Sequence, residues 1–328
     1  MANTSWERRR LLLAALAATM LPSAAAIPSR RERSGFGIQL WMVKDILASD
    51  PAATLNAIAR AGFASVELAG WPHTDRAAFA ELLADTGLTC RCAHLPILLA
   101  NDDELPRLLD EASAFGLIHL FAPVPGFPQA KDLPAEQRAA ALFARSLSSD
   151  DWRWNAERLN IVADRAATHG LAVGYHNHNI EFAPLDDGTT PFALLLAHSD
   201  PAKVHFELDV GHVMLAGADP FALLADHPGR FRAAHLKQWQ RPFVPRTRLD
   251  LPASSDFDTV FDWSRWLDAA QDAGIVHVFA ERDNLPARDQ LRAMQQAGLF
   301  FGSIRPRAGY GQGAGASRAM ARASASAG

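Results

Sequence analysis

Residues 35–304 repeat one pattern eight times: a short run rich in Val, Ile, Leu and Phe, then a stretch with apolar residues three and four positions apart. The runs are GFGIQLW, SVELAG, TCRCAHLP, IHLFAPV, LAVGYHNH, VHFELDVGH, RAAHLKQW and VHVFAERD. The helical stretches are PAATLNAIARA, DRAAFAELLADT, DELPRLLDEASAF, NAERLNIVADRAATH, TPFALLLAHS, DPFALLADH, DWSRWLDAAQDA and ARDQLRAMQQ. Asp or Thr before a first-turn proline marks helix starts in DPAATL, TTPFALL and ADPFALL, and Gly62, Gly87, Gly116, Gly170 and Gly274 mark stops. Strands joined through helices run parallel, and eight such units without a strand-only segment favour closure into a (β/α)8 TIM barrel. An open doubly wound sheet is the alternative, but no Gly-rich fingerprint follows the first strand. The 328 residues suffice, since such a barrel takes roughly 250 as one domain. Two connections are long: residues 129–151, expected over the barrel mouth, and residues 240–258 after the seventh strand.

The ends read differently. Residues 1–26 have a charged start with Arg8, Arg9 and Arg10, a short apolar run and small residues suited to cleavage, which reads as an export signal. The paired arginines favour the twin-arginine route over an arginine-rich Sec signal, and the apolar run is shorter than the roughly 20 residues of a membrane span. The expectation is an exported, periplasmic protein with no membrane span after signal removal. Residues 306–328 are Gly/Ala/Ser-rich and are expected to be disordered. The formal charge of −4 becomes −6 without residues 1–26, and this mildly acidic body argues against a nucleic-acid partner, which needs a basic stripe. Cys90 and Cys92 lie two apart on a strand, pointing the same way as small buried hydrophobes rather than forming a disulfide.

Barrel interiors are filled by packed apolar side chains, and chemistry sits at the carboxyl ends of the strands. Polar residues collect at those ends here. Glu67 ends the second strand, His94 the third, and His176 and His178 the fifth. Asp209 ends the sixth, followed by His212; His235 and Lys237 end the seventh, Glu281 and Asp283 the eighth. Two-residue spacing aims each pair alike. One histidine at a strand end is ordinarily a hydrogen-bonded core residue. Carboxylates and imidazoles converging from several strands carry a charge penalty unless a cation sits among them, so a divalent metal site is expected.

These residues resemble a family. IQLWMVKD, DPAATLNAIARAGFASVELAG, GYHNHNIEF, LDVGHVMLAGADP, HLK and ERD are similar to the sugar phosphate isomerase/epimerase family of xylose isomerase-like barrels, in its YHNH-signature branch. The resemblance covers about residues 35–302 and implies an enzyme acting on a carbohydrate, keto-sugar or polyol. It implies one divalent ion, Mn2+ first, with Mg2+, Co2+, Zn2+ or Fe2+ as alternatives. The family holds the ion with Glu, Asp, His and Glu; the last three map to Asp209, His235 and Glu281. GYHNH aligns with a family strand ending Leu-Glu-Asn-His, so His176 takes the glutamate's place. His178 would then face the substrate, or support it through a hydrogen bond.

Family epimerases use two metal-bound glutamates as paired bases. With His176 replacing one, a symmetric two-base epimerisation is disfavoured. Proton abstraction beside a metal-polarised carbonyl remains, as isomerisation, dehydration or β-elimination. Glu281 is the candidate base, His178 or Glu181 a second group, and Lys237 a holder of sugar oxygen or enolate charge, with a salt bridge as its bland reading. Glu67, His94, His212 and Trp41 are candidate substrate contacts, and Trp71 offers a second aromatic face; each has a packing or hydrogen-bonding alternative. Gln238 stands where relatives often have Asp after HLK, and LPASSDFDTVFDW replaces a Gly-rich acidic stretch, so the substrate does not transfer. A small carbohydrate is the expected partner, and a homo-oligomer is compatible. Two other readings compete: an exported sugar-binding barrel without turnover, which loss of Asp209 or Glu281 would have favoured, and an endonuclease IV-like phosphodiesterase, disfavoured by the acidic body.

Overall fold

The computed structural model describes residues 35–144 and 146–304; the expected export signal and Gly/Ala/Ser-rich tail lie outside the described residues. Strands β1 (Gly37–Gln39), β2 (Ser65–Leu68), β3 (Thr89–His94), β4 (His119–Ala122), β5 (Ala172–His176), β6 (Val204–Asp209), β7 (Phe231–Leu236) and β8 (His277–Ala280) form a closed parallel barrel in chain order. Around it run α1 (Pro51–Arg60), α2 (Arg76–Thr86), α3 (Glu104–Phe115), α4 (Ala135–Phe143), α5 (Ser149–Ala167), α6 (Pro191–His198), α7 (Val210–Leu215), α8 (Pro220–Asp226), α9 (Trp263–Asp272) and α10 (Ala287–Ser303). Asp50, Asp75, Thr190, Asp219 and Asp262 cap helix starts by accepting backbone N–H groups that have no partner within the helix. Among the described residues no helix is long and apolar enough to cross a membrane.

The period-2 alternation of each strand builds two interiors. Outward residues such as Ile38, Val66, Leu120, Val173, Leu208, Leu236 and Val278 join the helices in the main apolar core. The inward residues correct the expectation of an apolar lumen. Its apolar part is small, made of Cys92, Phe121, Ala233 and Phe279, and polar side chains lie above and below it. Parallel pairing of β2 with β3 skips Arg91, with Val66 opposite Cys90 and Glu67 opposite Cys92. The bulge turns the two cysteines to different interiors: Cys90 packs on the outer core and Cys92 on the lumen cluster, both free. Their expected common direction was the error of assuming an unbroken strand. Gly174 lets β5 approach β6, since a Cβ there would lie 2.0 Å from the His205 carbonyl oxygen.

The long connections carry structure that the sequence reading did not assign. Residues 129–151 hold a 3-10 turn at Pro128–Asp132 and helix α4. Buried Arg138 pins this segment, donating to the carbonyls of Leu133 and Leu99 and pairing with Glu104. Residues 240–258 are largely irregular. The Asn179 amide, just past β5, ties them down by donating to the carbonyls of Arg246 at 2.9 Å and Arg248 at 2.7 Å.

Candidate metal centre

The carboxyl ends of β6 to β8 bring Asp209, His235 and Glu281 together, with one donor atom of each within 4.8 Å of the others. The His235 Nδ1 lies 2.8 Å from Glu281 Oε2 and 3.9 Å from Asp209 Oδ2. Its Nε2 faces the other way, 2.6 Å from Glu67 Oε2 and 3.3 Å from Glu207 Oε2. A second donor set therefore lies beneath the first and shares this ring: His94, His176, Glu207 and His235. His176 belongs to that lower set, with Nδ1 3.1 Å from Glu207 Oε2, while its ring centre is 4.5 Å from that of His235. The structure thus gathers three of the four expected ligands in one set and places the fourth beside it.

Lys237 enters from above. Its ammonium lies 3.0 Å from Asp209, 2.9 Å from Glu281 and 2.8 Å from Asp283, all buried or nearly so. This answers the bland reading of a surface salt bridge, because the side chain is only 2% exposed. A Cβ on Gly211 would come within 2.7 Å of the Lys237 stem, so the glycine of LDVGH is what lets lysine lie there. Asn177, between the two histidines, points away from them and accepts the Asp209 backbone N–H at 3.0 Å, while Asp209 Oδ1 caps α7 through the His212 N–H at 2.9 Å.

His178 rests edge-on against His176, ring centres 5.0 Å apart, and equally close to His212. Its backbone N–H donates to Glu181, whose other oxygen accepts from Tyr175; both bonds are 2.7 Å. Glu181 is a buried brace for the strand end. His212 Nε2 is 3.6 Å from Asp283, and its ring packs on Trp239. His94 Nε2 lies 2.6 Å from Glu207. Trp41 stands apart, 46% exposed, in a cleft with Trp71, Leu68 and His73. It meets the polar column through its backbone N–H on Gln39, whose amide donates to Glu67. The sequence reading missed Glu207 and Gln39; Glu207 carried a signal, standing two residues before Asp209 on one strand face.

Charge in this enclosure is set by burial and neighbours. Burial, then the Glu207 carboxylate, pushes Glu67 up to about 7. Burial opposes ionisation of Glu281, but Lys237 and His235 outweigh it and hold the carboxyl at about 2. Burial and the neighbouring His235 and His94 keep His176 neutral, and burial with His212 and Lys237 does the same for His178. His235 is pulled the other way: burial is overcome by the carboxylates of Glu207 and Glu281.

The donor chemistry fits a divalent cation. Oxygen and imidazole nitrogen suit ions from magnesium to zinc. Buried Glu67 Oε1, Glu207 Oε1 and Asp209 Oδ2 have no hydrogen-bond partner, although the Lys237 ammonium is near the last of these. Buried carboxylate oxygens of this kind are costly unless they face positive charge.

Comparison with known proteins agrees with this architecture. The family model described as xylose isomerase-like TIM barrel matches residues 55–297. The chain belongs to this family. A solved sugar phosphate isomerase/epimerase from Parabacteroides distasonis is 22% identical, covers 85% of this chain and 97% of its own, and superposes with a TM-score of 0.64. A xylose isomerase-like barrel from Mycobacterium smegmatis, solved in complex with magnesium, is 18% identical over 84% of this chain and 98% of its own, with a TM-score of 0.56. The inosose dehydratase of Salmonella agona is 28% identical over 107 residues, 32% of this chain and 34% of that protein. This chain therefore spans about a third of the length of the curated relatives it matches. The similarity shows the xylose isomerase-like barrel over most of the described residues.

Proposed function

We propose that this xylose isomerase-like barrel is a divalent-metal-dependent enzyme that moves a proton beside the carbonyl of a keto-sugar or cyclic keto-polyol. The outcome would be isomerisation, dehydration or β-elimination. The observation that carries the reading is the set Asp209, His235 and Glu281 at the strand ends, with unpartnered buried carboxylate oxygen beside it. Those three would hold the ion, with neutral His176 adjoining through its contact with His235. A bound divalent ion supplies Lewis acidity toward a carbonyl oxygen.

The chain's own residues supply the rest. Glu281, kept ionised by Lys237 and His235, is the base for the carbon-bound proton. Neutral His178 has a free lone pair and serves as the second proton-handling group. Lys237 holds three carboxylates in place and presents positive charge where an enolate develops. With an imidazole at 176, the site lacks the paired glutamates of a symmetric epimerase, which favours loss of a leaving group over re-protonation on the opposite face. The similarity to inosose dehydratase points the same way. Residues 1–26, acting as an export signal, would place this activity in the periplasm.

The test is metal analysis of the purified protein and turnover of keto-sugars and keto-cyclitols, wild type beside Glu281→Ala. Near-stoichiometric metal is expected, with turnover reduced by 100-fold or more, about the loss expected for a general base. Full turnover after complete chelation, or an unchanged Glu281→Ala enzyme, refutes the proposal.

A further inference from the structure

We propose that the lumen holds a second cation site toward the amino-terminal end of the barrel, formed by Cys92, His119 and His277, for an ion of the zinc class. A donor atom of each residue lies within 4.8 Å of the other two. They come from three strands and converge because all face the lumen. Cys92 on β3 sits opposite His119 on β4, and His277 arrives from β8. The two imidazoles meet edge-to-face with ring centres 5.4 Å apart.

Three observations separate this set from filler. The His119 Nδ1 is buried without a hydrogen-bond partner, a cost that coordination would remove. Burial, then mutual repulsion with His277 and His205, holds His119 at about 3, and burial holds His277 at about 4, so both rings are in the ligating form. Ala233, beside His277 in the β7–β8 pairing, packs in one lumen cluster with Cys92 and adds no polar partner for the two rings. Arg91 and Arg232 are the nearby charges that oppose a cation. Each is drawn aside by a loop carbonyl, Arg91 on Gly116 at 3.0 Å and Arg232 on Gly274 at 3.3 Å.

Thiol plus two imidazoles is a soft-to-borderline set that selects zinc-class ions over magnesium or calcium. The mouth set of carboxylates and one imidazole has the opposite preference. The rings of Phe121 and Phe279 stack over His119 and His277, at 6.1 and 6.3 Å, and lie between these histidines and the mouth. Burial, then the Glu67 and Glu207 carboxylates, pushes the Cys92 thiol up; coordination to the cation offsets this, and the thiol proton passes to bulk water as the thiolate forms. The proposal is independent of the reaction at the mouth.

The test uses the full chain, stripped by chelator and reloaded with Co2+ or Zn2+. Two equivalents should bind, and the Co2+ form should show thiolate-to-cobalt charge-transfer absorption. Cys92→Ser should abolish that absorption and bind one equivalent less, and His277→Gln should weaken binding at least tenfold. Asp209→Asn, at the mouth, should keep the absorption. Loss of the band in Asp209→Asn but not in Cys92→Ser, or a wild type binding one equivalent without the band, would overturn the site.

Discussion

Replacing Lys237 by Met tests whether an ion and the lysine ammonium share the same carboxylates. The substitution keeps most of the side chain's length and removes the ammonium that lies within 3.0 Å of Asp209, Glu281 and Asp283. Leaving buried charge unpaired costs about 3–5 kcal/mol. At about 2.1 cal/mol/K per residue over roughly 270 residues, that is a fall of about 5–9 °C in unfolding temperature. Both figures apply to protein stripped with chelator. Added divalent metal should then rescue the variant more than the wild type, because the ammonium no longer competes for Asp209 and Glu281. Binding at 100 times the dissociation constant stabilises by about 2.7 kcal/mol, so the gap should narrow by up to that amount. The assay is thermal and urea unfolding of both proteins, stripped and metal-loaded. A gap of the same size in both states would refute the reasoning, since it would mean that no ion reaches those oxygens.

Gly211→Ala should shift Lys237 and destabilise the fold by about 1–3 kcal/mol, the usual range for overpacking, because the new Cβ would lie 2.8 Å from the Lys237 backbone oxygen, which cannot swing away; urea midpoints and turnover check it. Glu104→Ala should loosen residues 129–151 and cost about 1–3 kcal/mol as buried Arg138 loses its carboxylate partner, read as faster proteolysis of that segment. Arg138 holds Glu104 below the ordinary carboxylate range. The pair's contribution is therefore complete above that range and lost as pH falls through the lowered value, so wild type and variant should converge in stability in acid.

The barrel was legible because its eight strands and the eight helices that alternate with them announced themselves through their periods, several also through caps. Asp50 before Pro51, Thr190 before Pro191 and Asp219 before Pro220 sit where the sequence placed them. The strand-end residues were legible for the same reason, since two-residue spacing sets a common face. The lumen was not. Strands of a closed barrel are buried on both faces, so hydropathy does not say which residues look inward. Bulges hide further: skipping Arg91 reversed Cys90 relative to Cys92, and nothing in TCRCAH marks the skip. Nothing in the sequence marks Arg138 in the long connection as buried, because its partner Glu104 lies 34 positions away.

The histidine at position 176 has a cause that lies on the neighbouring strand. His176 pairs in register with Glu207, and its Nδ1 donates across 3.1 Å to that carboxylate. A glutamate in its place would set two buried carboxylates against each other, with Asp209 two residues further along the same strand. Like charges at that distance in a dry enclosure force one group to stay protonated. The imidazole exchanges that repulsion for a hydrogen bond. Glu207 in turn also gathers His94 at 2.6 Å and His235 at 3.3 Å, so one acidic residue orients three rings. An imidazole at the end of β5 and a carboxylate in the middle of β6 therefore keep the negative charge of this pair inside the barrel, below its rim. In the proposed function, that arrangement favours expelling a leaving group over returning a proton to the opposite face.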